Sequence, residues 1–411
     1  MNNMETNQRT KILFISNDGS RTGAPWILLN LIRWLKSHHD LKMAAVLMRD
    51  GSLRTDFEQE LTTYTWIPTD LNQPERIHKR LVNTFFQRGR SDPGKWLAHI
   101  IEKEKPDVIY LSTLVLGKYL GSVRQDARPR IVSHVHELLP SLLQLSGYAM
   151  VQRQLDLSHK VISCADCVQN GLTKNFHLPP DRCIILPEFI ITQSDNESPN
   201  SQENAGPNSQ DPQETLGWQK LNTAQERGLP VFGIGGNPIG RKGFDLIPLF
   251  LKACRQRFGD EGFLFVWIGC GEGSSPHASL SWDLELMGLR DQIVLFPSVA
   301  MASFRRLLSR LQVLTLLSRE DPFPLVALEA GLLEIPTVCF KGSGAIAEMA
   351  DEGACIAVDY LNLEAFAAAV HRLWAQPDEA QRIGRRCRRK VLEELSLEQV
   401  APRVAQVLLQ D

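Results

Sequence analysis

Short apolar runs of strand length alternate with amphipathic stretches of helix length along almost the whole chain, and that rhythm leaves few folds open. In the first half, Lys11–Ser16, Met43–Met48, Asp107–Leu111, Ile131–His134 and Lys160–Ser163 read as strands. Between the first two, Ala24–Ser37 carries Leu, Ile and Trp along one helical stripe. Strands separated by helices pair in parallel, because each crossover helix returns the chain to start in the same direction. The rhythm breaks once. Thr192–Gly217 has almost no apolar residues and reads as a disordered insertion that cannot bury a core. It then resumes with strands at Val231–Ile234, Phe263–Ile268, Ile293–Phe296, Val313–Leu317 and Thr337–Phe340, and helices at Phe244–Phe258, Glu364–Trp374 and from Glu379 onward. At 411 residues the chain is too long for one core. The expectation is α/β: two Rossmann-like doubly wound domains facing across a cleft. Residues 1–190 form the first, 191–227 a low-complexity linker, 228–390 the second, and 391–411 a C-terminal helix. Open parallel sheets bind ligands beyond the carboxyl ends of their strands.

Composition excludes more than it assigns. A net charge of -2 with 22% charged residues gives no footprint for nucleic acid. The N-terminus is polar and lacks a signal-peptide core, and no apolar run reaches the roughly 20 residues that span a bilayer. A cytoplasmic protein is expected. Eight cysteines in such a chain are small core residues rather than a disulfide framework, and Cys164-Ala-Asp-Cys167 lacks the second pair a zinc site needs.

The richest segment runs Ser318-Arg-Glu-Asp-Pro-Phe-Pro-Leu-Val-Ala-Leu-Glu329-Ala-Gly. Asp321 lies in the loop before a helix that opens near Pro324, and Glu329 lies about one turn inside it. Carboxylates accept well from sugar hydroxyls, and the N–H groups of a helix start favour an anion such as phosphate. Solvated acids on a capped helix are the plainer reading. The strand Val231–Ile234 runs into Gly235-Gly-Asn-Pro-Ile-Gly-Arg241-Lys242-Gly243. Its glycine spacing is not that of a dinucleotide fingerprint, but two adjacent cations at a strand end suit a diphosphate. The first strand ends in a glycine turn at Gly23 and a helix start, a second candidate phosphate or sugar cradle. His134 and His136 share one strand face, yet the sequence offers no third ligand for a metal. The run Arg385-Arg386-Cys-Arg388-Arg389-Lys390 is a solvated helix face or a contact for anionic lipid or a phosphorylated acceptor. No Asp-x-Asp, P-loop or nucleophile elbow occurs.

Taken in order, these pieces resemble the GT-B glycosyltransferases, and among them family 4, the glycosyl transferases group 1. The resemblance rests on Thr22-Gly23-Ala24-Pro25, Val135-His136-Glu137-Leu138, Arg241-Lys242-Gly243, Trp267-Ile268-Gly269-Cys270-Gly271, the segment from Ser318 to Ala330, and Gly344-Ala-Ile-Ala-Glu348. It implies a retaining, metal-independent transfer of a sugar from a UDP- or GDP-sugar to a glycan, lipid-linked or small-molecule acceptor, without a cofactor. By the same resemblance His136 and Asp321 take the catalytic positions. Gly23, Arg241, Lys242, Phe323, Leu325 and Glu329 bind the donor, Lys242 facing the diphosphate and Glu329 the ribose. Acceptor pockets are expected in first-domain loops such as Asn72–Trp96. The chain departs from the family in having Asp321 for the commoner Glu, with Glu320 adjacent, and Asn237 where an Arg often stands. Two other readings use the same frame: a non-catalytic nucleotide-sugar-binding partner subunit and a nucleotide-sugar epimerase.

Overall fold

The computed structural model describes residues 9–67, 92–122, 129–192, 211–259 and 262–410. Two compact units emerge. One comprises residues 1–188 with 397–411, the other residues 189–396.

The first unit holds a seven-stranded sheet. Its strands are β1 (Lys11–Ser16), β2 (Lys42–Leu47), β3 (Thr62–Thr65), β4 (Val108–Leu111), β5 (Arg130–Val135), β6 (Lys160–Ser163) and β7 (Cys183–Ile185). They lie in the order β3-β2-β1-β4-β5-β6-β7, every pairing parallel. The second unit holds β8 (Val231–Gly235), β9 (Leu264–Ile268), β10 (Ile293–Phe296), β11 (Val313–Leu316), β12 (Thr337–Phe340) and β13 (Ile356–Val358). Their order is β10-β9-β8-β11-β12-β13, again all parallel. Both sheets reverse their strand order once, at β1/β4 and at β8/β11. Such switch points open the crevices in which doubly wound sheets bind ligands.

Burial explains why the strands read as unbroken apolar runs. Ile12, Leu13, Phe14 and Ile15 of β1 and Leu264 to Ile268 of β9 are all buried, because helices cover both faces of a parallel sheet. In the second unit Phe232, Phe250, Phe258, Phe263 and Phe265 pack ring against ring, with centroids 5.4–6.0 Å apart.

Two expectations need correction, and three strands went unread. The polar stretch does not run to Gly217. Residues 193–210 lie outside the described set, but Pro212–Glu226 is a helix, capped by the Asp211 side chain on Gln213 and Glu214 N–H. Its Trp218 and Leu221 sit in the core of the second unit, and a Cβ on Gly217 would lie 2.7 Å from the Phe296 ring. Two buried side chains a turn apart outweigh the polar residues around them. The division at residue 390 also fails. The helix Pro377–Glu394 packs on Leu325–Leu332 in the second unit, through Cys387 and Val391 against Gly331. The helix Leu397–Leu409 returns to the first unit and packs on Gly23–His38, where Arg130 donates to the Leu408 carbonyl. The short strands β3, β7 and β13 had no alternation long enough to mark them.

Candidate active site

At the β8/β11 switch point three loops are stitched together by backbone bonds. Arg319 N–H donates to the Arg241 carbonyl at 2.9 Å, Asp321 N–H to Ser343 at 2.7 Å, and Ala345 N–H to Pro322 at 2.9 Å. Two glycines make the approach feasible. Gly243, at φ 75°, would place a Cβ 2.0 Å from the Leu317 carbonyl oxygen, and one on Gly344, at φ 156°, would lie 1.7 Å from that of Asp321. The basic pair and the acid loop, 79 residues apart, thereby share one site.

Lys242 and Asp321 form an ion pair, Nζ donating to Oδ2. Arg241 holds a guanidinium nitrogen 3.8 Å from the other carboxylate oxygen and donates to the Glu320 carbonyl at 2.8 Å. Ser318 Oγ–H adds a 3.3 Å bond to Asp321. Asp321 is buried, whereas 35% of the Arg241 side chain is exposed. One buried carboxylate thus holds a lysine in place and leaves the arginine reaching outward. Arg319 is occupied elsewhere, clasping Asp245 through two bonds of 2.7 and 2.8 Å. Asp321 is already bonded to Lys242, so the roles expected separately for sugar and diphosphate fall on one ion pair.

The helix Leu325–Leu332 follows, with Pro324 at its N-cap and no side-chain cap. Phe323 and Leu325 are partly buried against the core. Glu329 lies one turn in and makes no hydrogen bond or salt bridge among the described residues. Burial pushes its carboxyl up to about 7 against the pull of Arg305. A ligand hydroxyl at Glu329 would relieve this, because donation to the carboxylate favours its charged form.

The first unit holds a second polar cluster, at the end of β5. His136 Nδ1–H donates to Glu188 Oε1, and both side chains are over nine-tenths buried. Burial works against charge on His136, but the Glu188 carboxylate outweighs it and raises the imidazole above its ordinary value. His134 lies beneath, its Nδ1 2.5 Å from the Tyr110 hydroxyl, and burial beside His136 drives it well below the ordinary range. Glu137 accepts from Thr113 Oγ–H and from His136 N–H, and burial raises its carboxyl. The sequence offered no third ligand beside the two histidines. Glu188, 52 residues after His136, supplies one: a ligating atom from each of His134, His136 and Glu188 lies within 4.8 Å of the others. These three could take an ion, although the His136–Glu188 bond already spends one atom of each.

Other expectations settle locally. Gly23 opens the helix Gly23–His38, with Pro25 in its first turn. Residues 72–91 of the expected acceptor loop lie outside the described residues, and Asp92 caps the helix Pro93–Glu104. The basic run is partly spent on its own unit. Arg385 and Arg388 pair with Glu334, and Lys390 with Glu352 and Glu394. Cys164 is core, and the eight cysteines form no disulfide. Among the described residues, no helix is long and apolar enough to cross a membrane.

Residues 231–376 match the family described as glycosyl transferases group 1. That span contains the whole Lys242–Asp321–Glu329 site and bears out the expectation of a glycosyltransferase domain. The fold is that of solved GT-B glycosyltransferases. Anabaena HepE in complex with UDP-glucose superposes with a TM-score of 0.70 at 16% identity, covering 97% of this chain and 99% of that one. Sucrose-phosphate synthase from Thermosynechococcus elongatus gives 0.71 at 15%, covering 97% and 98%. WaaG, a glycosyltransferase involved in lipopolysaccharide biosynthesis, gives 0.65 at 14%, covering 97% and 100%. No curated protein matches the sequence.

Proposed function

We propose that the chain is a retaining, metal-independent glycosyltransferase of family 4. In this reading the second unit binds a nucleotide-diphosphate sugar and the first unit binds the acceptor. The observation that carries it is the pairing of Lys242 with buried Asp321 at the β8/β11 switch point, beside Arg241 and the carboxyl of Glu329. Cleavage of the sugar–phosphate bond leaves negative charge on the diphosphate. Lys242, Arg241 and the helix start at Leu325 are preorganised to receive it, so no divalent ion is required for that duty. Glu329 accepts from the ribose hydroxyls. Asp321 meets the sugar through the oxygen that Lys242 leaves accessible, and His136 positions the donor sugar. Retention follows from transfer on the same face, since no side chain is assigned as an opposing nucleophile. UDP is preferred to GDP as the carrier because HepE, with the same fold, was crystallised with UDP and UDP-glucose.

The test is incubation with labelled nucleotide sugars in the presence of EDTA. Transfer to an acceptor or slow hydrolysis supports the reading. Interconversion of the sugar would mark an epimerase. Binding without any turnover would mark a partner subunit.

A further inference from the structure

We propose that Glu188 is the positioning residue for His136: its carboxylate takes the Nδ1–H, fixes the plane of the ring, and leaves Nε2 as the atom presented to a substrate oxygen. The inference deepens the glycosyl-transfer reading and rests on it for the identity of that substrate.

The geometry has three parts. First, His136 Nδ1 and Glu188 Oε1 are hydrogen-bonded while both side chains are buried, at 8% and 6% exposure. A buried carboxylate on one imidazole nitrogen decides which nitrogen bears the proton and how the ring is oriented. Second, His136 Nε2 is itself buried and has no hydrogen-bond partner among the described residues. A buried polar atom left without a partner costs roughly as much as a lost hydrogen bond, so a substrate oxygen or a water at Nε2 would be favoured. Third, most neighbouring groups are engaged elsewhere, while His134 Nε2 and Glu188 Oε2 are, like His136 Nε2, buried without a partner among the described residues. Tyr110 engages His134 Nδ1, Thr113 engages Glu137, and Cys164 is a buried thiol that burial pushes up and keeps neutral. Cys167 stands at the start of the next helix.

An ion held by the same residues is the competing account. It fits the cluster less well. The two nitrogens of an imidazole point away from each other, so an ion on His136 Nε2 is not reached by the carboxylate oxygen bonded to Nδ1. An ion on Nδ1 would have to break the bond that is present.

The test is the nitrogen-15 spectrum of the histidines in the full-length free protein, followed upward from pH 7.5 to a pH at which His136 is neutral, which needs neither substrate nor turnover. In the native chain His136 should carry its proton at Nδ1. Glu188→Gln should keep that proton in place, since the amide oxygen still accepts, whereas Glu188→Leu should transfer it to Nε2. With UDP-glucose, Glu188→Leu should lower kcat by up to about 10²-fold, as expected for a misaligned reacting group. Affinity for UDP alone should stay unchanged, and Glu188→Gln should restore much of the rate. A native His136 found in the Nε2–H form would overturn the proposal without any variant, so misfolding of Glu188→Leu does not shelter it. So would an unchanged His136 spectrum in a folded Glu188→Leu protein, or stoichiometric zinc with a metal-shifted His136 nitrogen. Absence of UDP binding by the native chain would instead strike the glycosyl-transfer reading and leave the spectral result standing.

Discussion

The two units share one strand order over six strands, the first adding β7 at its edge, yet hold charge in opposite ways. In the second, Asp321 is buried under two cations, and Arg241 stays partly exposed. One guanidinium of that cluster therefore reaches solvent, where under the proposed function it would meet the diphosphate. In the first, His136 and Glu188 are both sequestered, and the carboxylate's work is to orient one ring. A similar fold thus carries a carboxylate–cation cluster with one arm exposed in one unit and a wholly buried histidine–carboxylate pair in the other, and the side chains at the strand ends decide which.

The largest expected effect follows from removing the cation. Lys242→Ala should lower the transfer rate by about 10²–10³-fold, as for loss of one preorganised charge stabiliser. It also leaves Asp321 buried beside an unfilled partner position, which costs about 3–5 kcal/mol when a buried pair is broken. The double change Lys242→Ala with Asp321→Asn separates the two effects. It should recover most of the lost stability in denaturant titration and none of the rate. Recovery of both would make the pair structural and erase the contrast between the units.

Glu329→Gln should weaken UDP-sugar binding by about 1.5–3 kcal/mol, the worth of hydrogen bonds to a charged acceptor. Calorimetry on the folded variant measures it, and unchanged affinity would remove Glu329 from the site. The pH dependence has a definite sign. A carboxyl raised to about 7 in the folded state contributes stability below its unfolded value near 4.5, and that stability is lost as pH rises through 7. Glu329→Gln should therefore raise the Tm of the free protein at pH 8 and leave it unmoved at pH 4.5. Donor affinity should run the other way in the native chain, rising with pH through 7 as the carboxylate forms.

Gly344→Ala should destabilise by about 1–3 kcal/mol from backbone conformation alone, before the clash with the Asp321 carbonyl. Thermal unfolding would show it, and an unchanged Tm would mean that the loops are not locked together. The smallest effect is expected from deleting residues 193–210, whose sequence has almost no apolar side chain to lose from a core, and the length of a connection itself weighs little, at about 0.6 kcal/mol per doubling. Extending the deletion to Gly217 removes the cap and first turn of the helix that buries Trp218, and the Tm should then fall clearly.

How much of this was legible in the sequence depended on distance along the chain. Strands buried on both faces announce themselves locally, so β1, β6, β10 and β12 were readable to the residue. The acid loop and basic turn were each recognisable as strand-end motifs. Their union in one ion pair was not, since it depends on β8 and β11 being neighbours. Glu188 was invisible because nothing near Leu186-Pro-Glu-Phe marks a carboxylate for burial. Only the pairing of β5 with β6, and β6 with β7, brings it toward His136. The helix Pro212–Glu226 was missed for the opposite reason: its polar surface resembles the stretch before it, and its core residues Trp218, Leu221 and Ala224 are too few to set a periodicity.

The central claim is that protein cations, not a metal ion, carry the departing diphosphate. The direct measurement is turnover of a labelled UDP-sugar by the native chain and by Lys242→Ala, each with EDTA and with added magnesium. The account predicts native turnover that is insensitive to EDTA and a collapse in Lys242→Ala that magnesium does not repair. Native turnover abolished by EDTA and restored by magnesium would contradict it.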